Sequence, residues 1–419
     1  MRREAPALLV AMLAAAWLAP RSTAQSSEPP PVLVPPHADT AQVAEPLPLI
    51  VPGRSNGTTG EKSRAERARD FVALGRQHEQ EGDPVLAVTA YRSAALLDTT
   101  LTGIANHAGD ILAALGDDRG AIRLYALELT RNPGDFETAR RFGLALSRIG
   151  DHANAIRQLE MVSRHAPQDG RSWTALGMAY LAAGRPTDAV TALEHAVALP
   201  PDSASEHRDL GMALAALGRN TEARASYRKA LAMDRRDGLT WLDLGNLEAA
   251  TGRPDSALAA YRTAEACDST LGDALKGQAQ MLVALDRYPE AGPVYRRWVI
   301  VSPTDLGARL ETVHYFVSEG RPDIALEVAR DALRYDRTSA DVRLLYGFAL
   351  DANGRKREAM VELRRAEHLF KTPTGKDRAR QLIETMRASA SDSLLAVFTA
   401  DSVAMARSDS IRAPARPQR

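Results

Sequence analysis

Residues 168–201 read QDGRSWTALGMAYLAAGRPTDAVTALEHAVALPP, and this stretch decides the fold. Its apolar residues recur every three or four positions, which predicts two helices rather than strands. Gly184 stands between the two apolar runs, where a residue free to adopt a positive φ can end the first helix. A helix pair of 34 residues cannot bury its apolar face alone, so we expect it to stack on copies of itself.

The same kinds of residue return when the frame is moved by 34 positions. In the next but one unit they are Trp241, Leu244, Gly245, Gly252, Ala257, Tyr261 and Ala264. Nine consecutive frames fit from Ala68 to Pro373 without an insertion. The seventh frame is degenerate, because Ala279 and Asp286 occupy its two glycine positions.

This pattern resembles the tetratricopeptide repeat, whose signature is Trp-x2-Leu-Gly-x2-Tyr followed by Gly, Ala, an aromatic residue, Ala and Pro. The resemblance implies an all-α fold. It implies a right-handed superhelical solenoid of about nine 34-residue helix-turn-helix repeats over residues 68–373, with a C-terminal capping helix. It also implies that the first helices of successive repeats line a concave face on which ligands bind.

We number the positions of each repeat as slots, with Trp173 at slot 4. Slots 2, 5, 9 and 12 of the first helices give the predicted lining of the concave face. The predicted peptide-binding residues are Arg140, Leu144, Arg171, Thr174, Met178, Arg208, Met212, Leu242 and Asn246. Methionines adapt to varied side chains, and arginines can hold carboxylates through two parallel hydrogen bonds. The alternative is that these are ordinary solvated positions, some of them paired with local acidic residues.

None of these nine residues is a lysine, which argues against the Lys/Asn clamp by which some members of the family hold acidic C-terminal peptides. The chain has 53 basic and 53 acidic residues, and this balance disfavours nucleic acid as a partner. Its one cysteine, Cys267, excludes an internal disulfide. We therefore expect protein or peptide partners, and packing alone must stabilise the fold.

No catalytic residues, cofactor site or metal site are predicted. The nine histidines are scattered, and none pairs with another at metal-ligand spacing. Gly53-Arg54-Ser55-Asn56-Gly57 matches the string of a nucleophile elbow, but no strand and helix flank it. The segments outside the repeats are shorter than the ~100 residues of a typical catalytic domain. We expect that the protein is not an enzyme.

Both ends of the chain carry segments of a different kind. Residues 1–24 have the basic start, apolar core and small residues of a signal peptide, and an uncleaved membrane anchor is the alternative. Residues 25–67 are rich in proline and predict a disordered spacer. Residues 374–408 predict capping and amphipathic helices, and 409–419 a disordered tail. Any membrane contact of the mature chain is expected only from the amphipathic helix at 393–407.

These features favour an exported bacterial scaffold or adaptor, periplasmic or secreted, that binds protein or peptide partners on its concave face. The alternative is a non-catalytic accessory subunit of an envelope enzyme, a polysaccharide assembly or a secretion assembly. In that case the spacer tethers the array and the array recruits partners.

Overall fold

The computed structural model describes residues 62–201 and 203–389. Within these ranges the chain forms nineteen α-helices and no strand. The predicted signal peptide, most of the predicted spacer, the predicted amphipathic helix at 393–407 and the predicted tail lie outside the described residues. The chain divides into two compact units, whose described parts are 62–236 and 237–389.

The described part of the first unit contains five helix pairs. Its helices are α1 Arg64–Glu81, α2 Pro84–Leu97, α3 Ile104–Ala114, α4 Asp118–Arg131, α5 Phe136–Arg148, α6 His152–His165, α7 Gly170–Ala182, α8 Pro186–Val197, α9 Ala204–Ala216 and α10 Asn220–Met233. The two helices of each repeat pack against each other, and α2, α4, α6 and α8 also pack against the first helix of the repeat that follows. This is the stacking that the repeat pattern predicts.

The described part of the second unit contains four helix pairs and a final helix. They are α11 Gly238–Ala250, α12 Pro254–Cys267, α13 Gly272–Ala284, α14 Tyr288–Val301, α15 Leu306–Ser318, α16 Pro322–Tyr335, α17 Ala340–Ala352, α18 Lys356–Leu369 and α19 Pro373–Ala388. Ile383 and Met386 of α19 are buried in the same apolar core as Leu363 of α18. The predicted capping helix is therefore confirmed.

The first boundary differs from the prediction. Helix α1 begins at Arg64 and not at Ala68, because Ser63 caps it. The Ser63 hydroxyl accepts from the Glu66 backbone N–H, and the Glu66 carboxylate accepts from the Ser63 N–H at 2.8 Å. This reciprocal capping box satisfies two donors that the helix start would otherwise leave unpaired. Residues 64–67, assigned above to the spacer, are therefore helical.

The turn between the two helices of a repeat depends on one left-handed residue. Gly184 has a φ of 70°, and the next residue, Arg185, donates its N–H to the carbonyl of Tyr180 at 2.8 Å. This hydrogen bond closes the helix end in the way that glycine favours. In the seventh repeat Asp286 adopts the same conformation with a φ of 56°, because aspartate tolerates the left-handed region better than most residues. The degenerate frame thus keeps the turn.

In most repeats slot 8 is glycine, because a large side chain at slot 24 lies against it. A Cβ atom on Gly177 would lie 2.5 Å from Cγ of Leu193, which is fully buried. The seventh repeat has Ala279 at slot 8. The glycine of its first helix that a neighbouring side chain approaches closely is instead Gly277, at slot 6. A Cβ on Gly277 would meet the ring of Tyr261, from the preceding repeat, at 2.5 Å. The degeneracy therefore reflects a shifted contact between two repeats.

In the fourth, eighth and ninth repeats, slot 4 carries a hydrogen-bond donor that the sequence pattern does not reveal. The Trp173 Nε1–H donates to the carbonyl of Pro167, six residues earlier, at 3.0 Å. In the eighth repeat Arg309 stands at this slot and donates to the carbonyl of Pro303, also six residues earlier, at 2.8 and 3.0 Å. In the ninth repeat Arg343 donates in the same way to the Arg337 carbonyl at 2.8 Å. Tryptophan and arginine thus make the same connection to the preceding loop.

Candidate peptide-binding face

The predicted binding residues lie on first helices that adjoin one another. In the first unit α5 contacts α7, and α7 contacts α9. These three helices carry Arg140, Leu144, Arg171, Thr174, Met178, Arg208 and Met212. Leu242 and Asn246 lie on α11 of the second unit, where α11 contacts α13. We call slots 2, 5, 9 and 12 of α5, α7 and α9 the first-helix face.

An apolar strip follows slot 9 in the third to fifth repeats. It consists of Leu144, Met178 and Met212, and each of these residues is half-buried. The residues at slots 8 and 24 fill the core between the two helices of each repeat. The slot 9 side chains lie outside that core, so part of their apolar surface is exposed to solvent. Two of the three are methionines, whose unbranched side chains can repack around different contacts.

The three predicted arginines differ in their burial and in their ion pairing. The Arg140 guanidinium binds both oxygens of Glu137 on its own helix, at 2.6 and 3.1 Å, and its side chain is only 14% exposed. Burial raises the pKa of Glu137, but the hydrogen bond and charge of Arg140 and the charge of Arg141 outweigh burial and hold the pKa below its ordinary value. Arg140 therefore agrees with the alternative given above for these slots, because its guanidinium is paired with an acidic residue of its own helix.

Arg171 is exposed, and within 62–201 and 203–389 its guanidinium has no ion pair. Arg208 is half-buried, with Nη2 3.8 Å from Oδ1 of Asp209. Burial raises the pKa of Asp209 to about 6, although the charge of Arg208 opposes this shift. Of the three arginines, Arg171 is thus the one that presents its guanidinium to solvent beside the apolar strip.

The other predicted residues have structural partners. Thr174 donates its hydroxyl to the Gly170 carbonyl at 3.0 Å. Asn246 is exposed, and its Oδ1 accepts from the Tyr261 hydroxyl at 2.8 Å. Leu242 is 9% exposed and packs in the core with Tyr261. The side chain of Asn246 therefore keeps only part of its hydrogen-bonding capacity for a ligand.

A polar network that connects α3 and α4 to α5 was not predicted. Arg141 donates to Oδ2 of Asp110 at 2.8 Å and to the Asn106 side chain at 3.2 Å. The Tyr125 hydroxyl donates to the other oxygen of Asp110 at 2.9 Å. The signal was present in the sequence: an acid at slot 9 of one repeat and an arginine at slot 6 of the next. This network fixes the polar side chains that precede the apolar strip in chain order.

In the second unit the corresponding slots are more polar and aromatic. Gln280 donates to Glu311 at 3.1 Å, and Lys276 lies 3.8 Å from the same carboxylate. His314 at slot 9 stacks on Phe348 at slot 9 of the next repeat, with ring centroids 4.9 Å apart. Burial lowers the pKa of His314 to about 4, so this imidazole is neutral at neutral pH. The sequence analysis did not select these residues.

Comparison with known proteins defines the family. The tetratricopeptide repeat profile matches residues 140–204, 208–272 and 310–372, which correspond to the third to sixth, eighth and ninth repeats. The chain is a tetratricopeptide repeat protein. The profile passes over the seventh repeat, where Ala279 and Asp286 replace the glycines.

Several solved structures of tetratricopeptide repeat proteins are similar to it. One is a thermophilic protein of Thermus thermophilus, with 26% identity over 43% of this chain and 97% of that chain, and a TM-score of 0.39. Another is MamA of Desulfovibrio magneticus, with 24% identity, 41% and 98% coverage and a TM-score of 0.38. A third, YrrB, is described as having an unusual peptide-binding site, with 16% identity, 44% and 95% coverage and a TM-score of 0.36. Curated protein sequences gave no match.

Metal sites and membrane spans are two other features that the described helices could carry. Among residues 62–201 and 203–389, no group of three or more His, Cys, Asp or Glu residues could hold a metal ion. The helices in those same ranges are all too short or too polar to span a bilayer.

Proposed function

We propose that this tetratricopeptide repeat protein is a non-catalytic scaffold that binds a protein or peptide partner on its first-helix face. The observation that carries the proposal is the half-buried apolar strip of Leu144, Met178 and Met212, together with the exposed guanidinium of Arg171, which makes no ion pair with any residue that the structure describes. Apolar side chains of a peptide would pack on the strip, and a carboxylate of the same peptide would bind Arg171. The partner chemistry is therefore apolar with at least one acidic group.

A peptide-display selection against the full chain tests this function. Selected peptides are expected to combine apolar residues with an acidic one. Met178→Asp and Arg171→Glu should each weaken their binding by about tenfold or more in fluorescence anisotropy, because one buries a charge and the other repels the carboxylate. Arg228→Glu is the matched control, since Arg228 is exposed on the second helix α10. Binding that all three variants leave unchanged would remove the first-helix face from the proposal.

We also propose that the protein is exported, with residues 1–24 as its signal peptide. The basis is the sequence pattern described above, a basic start before a short apolar core. Intact mass spectrometry of the chain from a bacterial periplasmic fraction tests the proposal. A mass that lacks residues 1–24 agrees with a cleaved signal peptide. A full-length chain in the membrane fraction identifies the segment as an anchor, and a full-length chain in the cytoplasm contradicts export.

A further inference from the structure

A shallow cavity in the second unit is lined almost entirely by arginines. It has a volume of about 290 Å³ and lies between α16 and the start of α17. Its lining residues are Arg330, Leu333 and Arg334 of α16, Arg337 of the following loop, and Arg343 of α17. No acidic residue lines it. These residues occupy slots 25, 28, 29, 32 and 4, so none belongs to the first-helix face.

Two of the guanidiniums are held in place by neighbouring carboxylates. Arg334 Nη1 lies 3.2 Å from Asp331, and Arg343 Nη1 lies 2.8 Å from Glu362. Each of these acids is shared with another arginine, because Arg309 also binds Asp331 and Arg365 also binds Glu362. The carboxylates are therefore already compensated, and they do not neutralise the cavity.

The other two guanidiniums have no acidic partner. In the described part of the chain neither Arg330 nor Arg337 makes an ion pair through its side chain. The nearby Asp336 is occupied within its own turn, where it accepts from the Thr338 hydroxyl and from the backbone N–H groups of Thr338 and Ser339, at 2.9 Å each. Arg343 adds a buried Nε that has no acceptor among the described residues. Several donors at this cavity thus remain to be satisfied.

The repeat architecture does not require this cluster. At the corresponding slots one repeat earlier stand Arg296, Val299, Ile300, Pro303 and Arg309, so only two of those five residues are arginines, compared with four of five here. Arginines at a helix C-terminus are favoured by the helix dipole, but that accounts for one or two charges within the last turn. Arg330 and Arg337 add positive charge that no described carboxylate offsets, and an anion between the guanidiniums would relieve their mutual repulsion.

We propose that this cavity binds a multiply charged oxyanion group, as found in a phosphate-containing or polycarboxylate ligand. The planar guanidinium matches such oxygens with pairs of parallel N–H donors, and each arginine carries five donors. Arg334 and Arg343 are pre-positioned by their ion pairs, while Arg330 and Arg337 supply the uncompensated charge. The site is independent of the peptide-binding function proposed above.

Calorimetric titration of the full chain with pyrophosphate and with citrate tests the proposal at low ionic strength. At least one of the two ligands is expected to bind, and the comparison shows whether phosphate or carboxylate oxygens are preferred. The double variant Arg330→Gln with Arg337→Gln should weaken that binding by about tenfold or more, since both charges are lost. Replacing both residues by lysine should give an intermediate loss, because charge remains without the planar fork.

The matched control is Arg228→Gln with Arg235→Gln, which removes two charges from slots 25 and 32 of the fifth repeat. Its oxyanion affinity should stay within about twofold of the unsubstituted chain. The proposal is overturned if neither ligand binds, if the cavity variant binds as well as the unsubstituted chain, or if the control loses as much affinity. Peptide binding by the cavity variant should be unchanged, which separates this site from the first-helix face.

Discussion

Replacing Arg309 with alanine should destabilise the eighth repeat more than any exposed charge deletion does. Arg309 is 2% exposed, although arginine is usually found at the surface. Its guanidinium donates to the Pro303 carbonyl through two nitrogens, to the Val328 carbonyl at 3.2 Å and to Asp331 at 3.3 Å. It also lies 4.9 Å from the ring centroid of Tyr335.

The expected cost follows from these contacts. Removal of the guanidinium leaves two carbonyl groups without these donors, and each unsatisfied buried polar group costs about 1–3 kcal/mol. Loss of the aliphatic stem and of the ring contact adds to this, while water that enters the site offsets part of it. We therefore expect Arg309→Ala to lower the free energy of unfolding of this region by about 4 kcal/mol, within the range for removal of one partner of a buried ion pair.

Arg334→Ala is the matched control, because Arg334 binds the same Asp331 but its side chain is 76% exposed. An exposed ion pair contributes little, so the control should change the free energy by less than about 1 kcal/mol. Repeat arrays can unfold in parts, and hydrogen exchange of peptides from α15 and α16 reports the local opening free energy. If the two variants differ by less than about 1 kcal/mol, Arg309 does not anchor this junction.

Three further predictions concern other positions. Burial raises the pKa of Asp209 to about 6, so ionisation of this carboxyl destabilises the folded chain as pH rises from about 4 to 6. Asp209→Asn should therefore raise the free energy of urea unfolding at about pH 7 by up to about 3 kcal/mol and leave it unchanged near pH 4. His314 has the opposite pH dependence, because its lowered pKa means that the folded chain resists protonation of this imidazole. The free energy of unfolding should therefore fall by up to about 3 kcal/mol as pH drops from about 6.5 to 4. His314→Phe should remove this component from the pH profile of unfolding. Gly177→Ala should lower the thermal midpoint through overpacking of about 1–3 kcal/mol against Leu193, whereas an unchanged midpoint would contradict the close contact.

Much of the fold could be predicted from the sequence because the period of 34 residues fixes the helix pairs and their turns. The turn at Gly184 and the cap by Ile383 and Met386 were both expected. The start of α1 was missed because the capping box of Ser63 and Glu66 lies before the first repeat frame. The close contact between Gly277 and the ring of Tyr261 was also missed, because the repeat pattern shows which slots hold small residues but not which side chain packs against each of them.

The candidate face could be predicted only as a set of slots. Slot numbers place Arg140 and Arg171 on the same face, but they do not show that Glu137 binds the first and that the second has no described ion pair. Such pairing depends on side-chain conformations between residues whose slots vary from repeat to repeat. The arginine cavity was missed for a related reason: its residues come from the end of one repeat and the start of the next, and no slot pattern joins them.

The donor at slot 4 has a consequence for how such a protein grows. Its acceptor lies only six residues upstream, on the other side of the boundary between two repeats. Gene duplication that inserts one more copy therefore brings the donor and, at the joint, an acceptor at the correct spacing. Because an indole and a guanidinium both donate to this acceptor, either tryptophan or arginine at slot 4 can connect an added repeat to the one before it, and the two choices give the array a different net charge.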